Sequence, residues 1–277
     1  MCAYPRDPEG ALATPTPDPA LATPPLDPED VIEIASVLDL GDHAFLVGGQ
    51  ATNLWAERYA NRATELAMFG PYTSVDVDYH GHREAAEKLA HAFNGRVRFP
   101  KFGDETPNSA IVEIEIHGRE IRIDFIHTVL GVRRRDLKVS ELRVPAKSPA
   151  ATFLMIPVMH PVACLESRVA NVLSPAMGRS DAVAIRQLRA SPMIVREFIS
   201  EALRDGDFRE AQACLRAVYV YMRSDQFGRR VLELEMDDPL NILRYFAEDE
   251  RLDARYRRYN LNGMIADIEA RRVKLRR

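Results

Sequence analysis

The hydrophobic pattern of this chain changes near residue 150, and that change limits the folds open to it. Before it, short apolar runs typical of β-strands alternate with segments of helical spacing. Strands are predicted at residues 44–47, 74–79, 110–116 and 120–126, and helices from residue 29, at 51–59 and at 83–93. Beyond residue 161 only helical spacing occurs, at 162–173, 181–188, 194–203, 208–222 and 239–246. The pattern predicts an α+β fold with a mainly α-helical C-terminal region.

Three segments follow from this pattern and from the distribution of proline. Residues 1–28 contain eight of the 18 prolines, interleaved with Asp, Thr and Ala. Such a segment has too few backbone donors and too little apolar mass for a core, so a disordered tail is predicted there. Residues 29–150 are predicted to form one domain and residues 151–277 a helical C-terminal domain.

Composition restricts the compartment and the class of protein. The chain is 46% hydrophobic and can bury a substantial core, while its three cysteines show neither CxxC spacing nor the density of a disulfide framework. A net charge of -4 argues against a surface coated in basic charge for general nucleic-acid binding. We find neither a signal peptide nor an apolar run that could span a bilayer. A cytoplasmic protein without a membrane partner is expected.

Two aspartates, Asp76 and Asp78, alternate with apolar residues in the predicted strand 74–79. Alternation places both carboxylates on one face of that strand. Hard cations such as Mg²⁺ prefer carboxylate oxygens, so the pair is a suitable clamp for a metal-bound triphosphate. The alternative is a half-exposed strand whose acids are solvated.

A third aspartate, Asp124, stands alone in the apolar strand 120–126. Burial of an isolated carboxylate would be unfavourable without a partner. Arg122 lies on the same face and could be that partner, in which case the pair is structural. A shared site with Asp76 and Asp78 is the other interpretation.

Gly48 and Gly49 separate the predicted strand 44–47 from the predicted helix 51–59. Without side chains, the backbone N–H groups and the helix N-terminus can approach phosphate oxygens. A tight turn that needs positive φ is the alternative. The sequence lacks GxGxxG and GxxxxGK[ST], which excludes the obvious dinucleotide-binding and P-loop motifs.

Together and in this order, the three elements resemble the DNA polymerase β-type nucleotidyltransferase superfamily. Within it, residues 47–51 (VGGQA), 73–79 (TSVDVDY) and 122–125 (RIDF) are similar to AbiEii-type toxins and related bacterial nucleotidyltransferases. The resemblance covers roughly residues 44–190. It implies a nucleotidyltransferase-like mixed β-sheet with flanking helices, and it makes residues 29–150 the catalytic domain.

The resemblance also implies roles for individual residues. Asp76, Asp78 and Asp124 would be the catalytic residues and Mg²⁺ ligands; the nucleotide-binding residues would be Gly48, Gly49, Ser74 and Arg168. Arg168 stands where relatives usually carry lysine, although a helix-surface arginine is the alternative interpretation. Arg179 and Asp181 resemble a following Arg/Lys-Asp element, but the second aspartate of that element is absent.

The implied activity is Mg²⁺-dependent transfer of a nucleotide from an NTP to a hydroxyl acceptor, with release of pyrophosphate. The acceptor could be an RNA 3′ end, a protein or a small molecule. A catalytically silent relative that binds nucleotide or RNA is the alternative. A third hypothesis is the toxin of a toxin–antitoxin pair, with an antitoxin as partner. Retention of all three aspartates favours an enzyme over a silent relative.

Overall fold

The computed structural model describes residues 25–73, 75–101, 103–104, 106, 108–146, 152–176 and 178–275. Seven strands form one sheet: β1 Phe45–Val47, β2 Val77–His80, β3 Arg96–Arg98, β4 Asn108–Ile116, β5 Arg119–Ile126, β6 Val139–Pro145 and β7 Phe153–Met159. Four helices precede or interrupt the sheet: α1 Pro28–Ala35, α2 Gly48–Ala60, α3 Thr64–Ala67 and α4 Arg83–Ala92. Five more follow it: α5 Pro161–Leu173, α6 Ala182–Arg204, α7 Phe208–Ser224, α8 Leu240–Ala247 and α9 Asn262–Leu275. The predicted mixed α+β class is confirmed.

The sheet is mixed, in the order β3-β4-β5-β2-β1-β7-β6. Strand β2 lies between β5, to which it is parallel, and β1, to which it is antiparallel. Strand β1 is in turn parallel to β7. The predicted hairpin of β4 and β5 is confirmed, and its turn has positive φ at His117 and Gly118. The centre of the sheet is therefore assembled from strands that are distant in sequence.

Strands β3, β6 and β7 were not predicted from the sequence. Most of β7 is one apolar run, FLMIPVM, with its last four residues buried. A short run of this kind has no period-2 alternation and cannot be distinguished from a helical segment by pattern alone. The sheet consequently extends past the predicted domain boundary at residue 150, and the helical region begins at Pro161.

Helix α6 is continuous, whereas the sequence predicted two helices on either side of Pro192. Proline has no backbone N–H, so the carbonyl of Leu188 loses its helical donor. The hydroxyl of Ser191 donates to that carbonyl at 2.7 Å and replaces it. Just after the proline, Ile194 is buried in the apolar cluster under the sheet, and Val195 is buried in the cluster among the C-terminal helices. A satisfied carbonyl and continued burial therefore carry the helix through the proline.

The apolar interior forms two clusters, one under the sheet and one among the C-terminal helices. Helix α5 belongs to both, because Ala163 and Cys164 pack on the sheet while Leu165 and Val169 pack on the helices. The two regions therefore share a helix. Of the predicted tail, residues 1–24 lie outside the described residues; Leu26 is buried in the sheet cluster, and α1 begins at Pro28. No helix within the described ranges is long and apolar enough to cross a membrane.

Candidate active site at the Gly48 end of the sheet

Asp78 and Asp124 lie side by side on neighbouring strands. They are direct partners in the parallel ladder of β2 and β5, so their side chains leave the same face of the sheet. Residue 76 is different: the predicted strand 74–79 begins only at Val77, and Asp76 is an exposed residue just before it. Ser74, one of the four predicted nucleotide-binding residues, lies outside the described residues. The structure thus brings two of the three aspartates together on the sheet and places the third just before the start of β2.

Gly48 lies directly against the Asp78 carboxylate. A Cβ atom added to Gly48 would be 2.5 Å from Asp78 Oδ2, and the φ of Gly48 is +69°. Both the close approach and the left-handed backbone require glycine. The helix α2 begins at Gly48 itself, and Gly48 has the positive φ that the tight-turn alternative required. The Asp78 carboxylate therefore sits at the positive end of α2.

Charge around Asp78 is not balanced. Burial raises the pKa of Asp78 to about 6, and the neighbouring charges of Asp124 and Asp76 add to the rise. Arg168 and Arg179 oppose it without reversing it. Asp124 and Asp76 thus both oppose ionisation of Asp78, and the Asp78 carboxylate favours a proton or another cation.

Asp124 has two protein partners, and both contact the same oxygen. Arg122 Nε donates to Asp124 Oδ1 at 2.9 Å, and Asn108 Nδ2 donates to it at 3.1 Å. The ion pair with Arg122 was the structural alternative raised by the sequence, and it is present. However, 29% of the Asp124 side chain is exposed, and neither contact uses Oδ2. Asp124 Oδ2 therefore makes no hydrogen bond to the residues that the structure describes.

Arg168 is buried beneath the site and does not lie on the helix surface. Its Nη1 donates to Gln187 Oε1 at 2.9 Å, and its Nη2 donates to Ser167 Oγ at 3.2 Å. Its Nε contacts no acceptor among the residues that the structure describes. Burial lowers the pKa of Arg168, and Asp78 partly offsets that effect. Arg168 thus acts on the site through its charge and through Gln187.

Gln187 and Asn53 are site residues that sequence reasoning missed. The Gln187 amide donates to Asn53 Oδ1 at 3.0 Å and to the Gly49 carbonyl at 3.4 Å. A Cβ on Gly49 would be 2.8 Å from Gln187 Nε2. Both amides lie on helices that were predicted, but their burial depends on how α2 and α6 pack. No sequence signal other than an amide within an apolar helix marks them.

Arg179 and Asp181 lie at the start of α6. Asp181 caps the helix by accepting from the Ala184 N–H at 2.9 Å, and it pairs with Arg179 Nε at 2.9 Å. Half of the Arg179 side chain is exposed. Because Arg179 also lowers the pKa of Asp78, it is an accessible cation near this site, as is Arg122, whose side chain is 58% exposed.

In the part of the chain that the structure describes, the carboxylate oxygens of Asp76, Asp78 and Asp124 do not all lie within 4.8 Å of one another. Over the described part of the chain, one group of at least three His, Cys, Asp or Glu residues has ligand atoms all within 4.8 Å of one another, and it is His160, Glu210 and Cys214. Asp76 precedes its strand, so no β-ladder contact fixes its side chain against Asp78. Asp78 and Asp124 are the pair that the fold itself positions.

Comparison with models of known protein families, and with curated proteins, found no match to this chain.

Proposed function

We propose that this protein is a Mg²⁺-dependent nucleotidyltransferase that transfers a nucleotide from an NTP to a hydroxyl acceptor and releases pyrophosphate. One observation carries the proposal: Asp78 and Asp124 are paired on parallel strands, and the Asp78 carboxylate lies against Gly48 at the start of α2. Carboxylates and a helix N-terminus at one place suit a metal-bound triphosphate. The proposed nucleotidyltransferase-like character of the sheet rests on the same arrangement.

The donors present fit Mg²⁺. The ion takes oxygen ligands, usually one or two carboxylates with water and substrate phosphate completing the octahedron. Asp78 and Asp124 would supply those carboxylates, and Asp76 would join them from its exposed position before β2 or act through its charge. The repulsion that raises the pKa of Asp78 is what a bound cation would relieve. When bound, Mg²⁺ would stabilise negative charge on the transferred phosphate and on the attacking and leaving oxygens.

The remaining residues have positioning roles in this proposal. The N-terminus of α2 at Gly48 and Gly49 would bind phosphate oxygens through backbone N–H groups. Gln187 donates a hydrogen bond to the Gly49 carbonyl, and Arg168 donates one to Gln187. These two residues therefore position the start of α2. Arg179, half exposed, would contact the triphosphate in place of the buried Arg168.

A direct test uses purified protein with each labelled NTP, Mg²⁺ and three acceptor pools: total RNA, total protein and small metabolites. The expected result is Mg²⁺-dependent labelling of one pool by the wild type and none by Asp124→Asn. A matched control is Asp205→Asn, which changes an exposed aspartate at the end of α6. Failure of the wild type to bind Mg²⁺–NTP would exclude the proposal. Binding without labelling would instead identify a silent nucleotide-binding relative.

The toxin hypothesis is a proposal about the consequence of the same activity. It predicts that controlled expression arrests growth of a bacterial host and that Asp124→Asn removes the arrest. An arrest that persists in Asp124→Asn would separate toxicity from nucleotide transfer.

A further inference from the structure

A cavity lies between α5, α7 and the loop that leads into β6. Its volume is about 100 Å³, and none of the aspartate-site residues lines it. Small side chains leave the space open: Ala163 of α5 faces Ala213 and Ala217 of α7. Val162 and Val220 extend the apolar part of the wall. The cavity can therefore hold a short aliphatic chain.

The polar part of the wall is mainly acidic. Its carboxylates are Asp136, Glu166, Glu210 and Asp225, and its permanent cations are Arg133 and Lys138. Most of these acids have partners. Asp136 pairs with Arg133 at 2.5 Å, Glu210 contacts His160 at 3.0 Å, and Asp225 accepts from the backbone N–H of Phe227 at 2.8 Å.

Glu166 is the exception. Its carboxyl makes no hydrogen bond to any residue in the described ranges, although it lies largely out of solvent between α5 and α7. Burial raises the pKa of Glu166 to about 8, Asp136 and Asp225 add to the rise, and Arg133 opposes it. A lone buried carboxyl among other acids is stabilised by a cation.

Tyr221 gives an independent indication of a ligand. It is only 3% exposed, it lines the same cavity, and its hydroxyl has no hydrogen-bond partner among the described residues. Burial raises the pKa of Tyr221, and the charges of Asp225 and Glu166, which line the same cavity, raise it further. Buried hydroxyls are normally hydrogen-bonded, so this one is positioned for a group that enters the cavity.

The nearby His160, Glu210 and Cys214 could be taken for a metal site, but the protonation of His160 argues against it. His160 Nδ1 accepts a hydrogen bond from the Val162 N–H at 3.2 Å. A neutral imidazole then carries its proton on Nε2, which donates to Glu210 Oε1 at 3.0 Å. A metal-bound histidine uses one ring nitrogen as the ligand and donates a hydrogen bond from the other. With Nε2 on a metal, Nδ1 would have to donate, but it faces the Val162 N–H, which is itself a donor.

We propose that this cavity binds a small primary alkylammonium ion, with Glu166 as the carboxylate that pairs with its charge. The Tyr221 hydroxyl would accept a hydrogen bond from the ammonium group, and the alanine wall would contact the alkyl chain. Such a ligand matches three properties of the cavity: an excess of carboxylates over cations, a hydroxyl without a hydrogen-bond partner and an apolar part of the wall. A single small ion would make no contact with the apolar part of the wall.

Binding should be linked to proton release. An alkylammonium ion stays charged near neutral pH, whereas Glu166 must ionise to pair with it. Apparent affinity should therefore rise between about pH 6 and pH 8.5 and then level off. The other charged or titratable groups facing Glu166 are Arg133, Asp136, Lys138, His160, Glu210, Cys214, Tyr221 and Asp225.

The test is calorimetric titration of the full chain with propylamine, and with propan-1-ol as the neutral analogue of equal size. We expect saturable binding of propylamine alone, weakened at least about tenfold by Glu166→Gln and less by Tyr221→Phe. The matched control Glu115→Gln changes an exposed strand residue and should leave binding unchanged. Thermal unfolding of each variant with and without propylamine checks that the fold is intact.

Several results would overturn the proposal. These are equal binding of propan-1-ol, unchanged affinity in Glu166→Gln, or no saturable heat up to about 10 mM propylamine. If Glu166→Gln does not fold, unchanged affinity in Tyr221→Phe has the same meaning. A parallel Zn²⁺ titration tests the metal alternative. If Zn²⁺ binds, if Cys214→Ser abolishes that binding and if bound Zn²⁺ prevents propylamine binding, the cavity is a metal site and not an amine site.

Discussion

Helices α2 and α6 pack together, and the carboxylate at one end of their interface is neutralised while the carboxylate at the other end is not. At the C-terminal end, Glu201 accepts hydrogen bonds from Arg58 at 2.9 Å, from Tyr59 at 2.7 Å and from Arg62 at 2.8 Å. Burial disfavours its ionisation, but the hydrogen bonds outweigh burial and hold the pKa of Glu201 below its usual value. This end is electrostatically complete.

At the other end of the interface, the Asp78 carboxylate lies against Gly48. Its pKa is raised to about 6 by burial and by Asp124 and Asp76. The polar contacts there join amides and backbone, through Gln187, and do not neutralise the carboxylate. One end of the same interface therefore contributes stability, whereas the other holds unneutralised charge that a ligand can use. Strained or unbalanced groups of this kind concentrate at functional sites.

The largest effect should follow from removing Asp124. Asp124→Asn keeps the shape of the side chain and its contact with Arg122, but it removes a negative charge from the proposed metal site. Transfer activity should fall on the order of 10²-fold or more, with little change in the free energy of unfolding. Single-turnover kinetics at saturating NTP measure the loss. Activity within a few-fold of the wild type would make the Arg122–Asp124 pair purely structural.

Gly48→Ala should damage both stability and the site. The added methyl group would meet Asp78 Oδ2, and the φ of +69° strains any residue with a Cβ. The expected loss is about 2–3 kcal/mol in the free energy of unfolding, together with weaker Mg²⁺–NTP binding. Gly118→Ala is the control, since Gly118 has φ +78° with nothing within 4 Å of the added atom. Equal effects of the two substitutions on NTP binding would argue against close contact at Gly48.

Glu201→Gln tests the completed end of the interface. The substitution weakens the interactions with Arg58, Tyr59 and Arg62, so the free energy of unfolding should fall by about 1–2 kcal/mol at pH 7 while Mg²⁺–NTP binding is retained. Because the folded pKa is depressed, the contribution of Glu201 is present above its unfolded pKa and is lost as the pH falls through the folded value. Urea denaturation of wild type and variant at several pH values below 5 should show the difference shrinking. A constant difference would mean that the lost hydrogen-bond geometry, not charge, is responsible.

Asp78→Asn should have the opposite sign. A raised folded pKa means that the folded state binds the proton more tightly, so the stability of the wild type decreases as the pH rises from about 4 to about 6. Removing the charge should increase the free energy of unfolding at pH 7 by about 1 kcal/mol or more, while Mg²⁺–NTP binding is lost. Denaturation at pH 4 and pH 7 without Mg²⁺ checks this, since the gain should appear only at the higher pH. A variant less stable than the wild type at pH 7 would contradict the unbalanced charge.

Local features were predictable from the sequence because they depend on near neighbours. The hairpin of β4 and β5 followed from two alternating runs around His117 and Gly118, and the end of α4 followed from Asn94, whose φ is 50°. Features that depend on distant contacts were not predictable. Strand β7 is recognisable only beside β1, and Gln187 is a site residue only because α6 packs on α2.

The sequence by itself determined strands β1, β2, β4 and β5, the aspartates at 76, 78 and 124, and the glycines that open α2. Those are properties of residue type and spacing, which local backbone preferences can express. Only the tertiary structure decided that β2 and β5 are parallel neighbours with Asp78 opposite Asp124, while Asp76 remains outside the strand. Strand partners are selected by burial of apolar faces across the whole sheet, and that selection involves residues far apart in the chain.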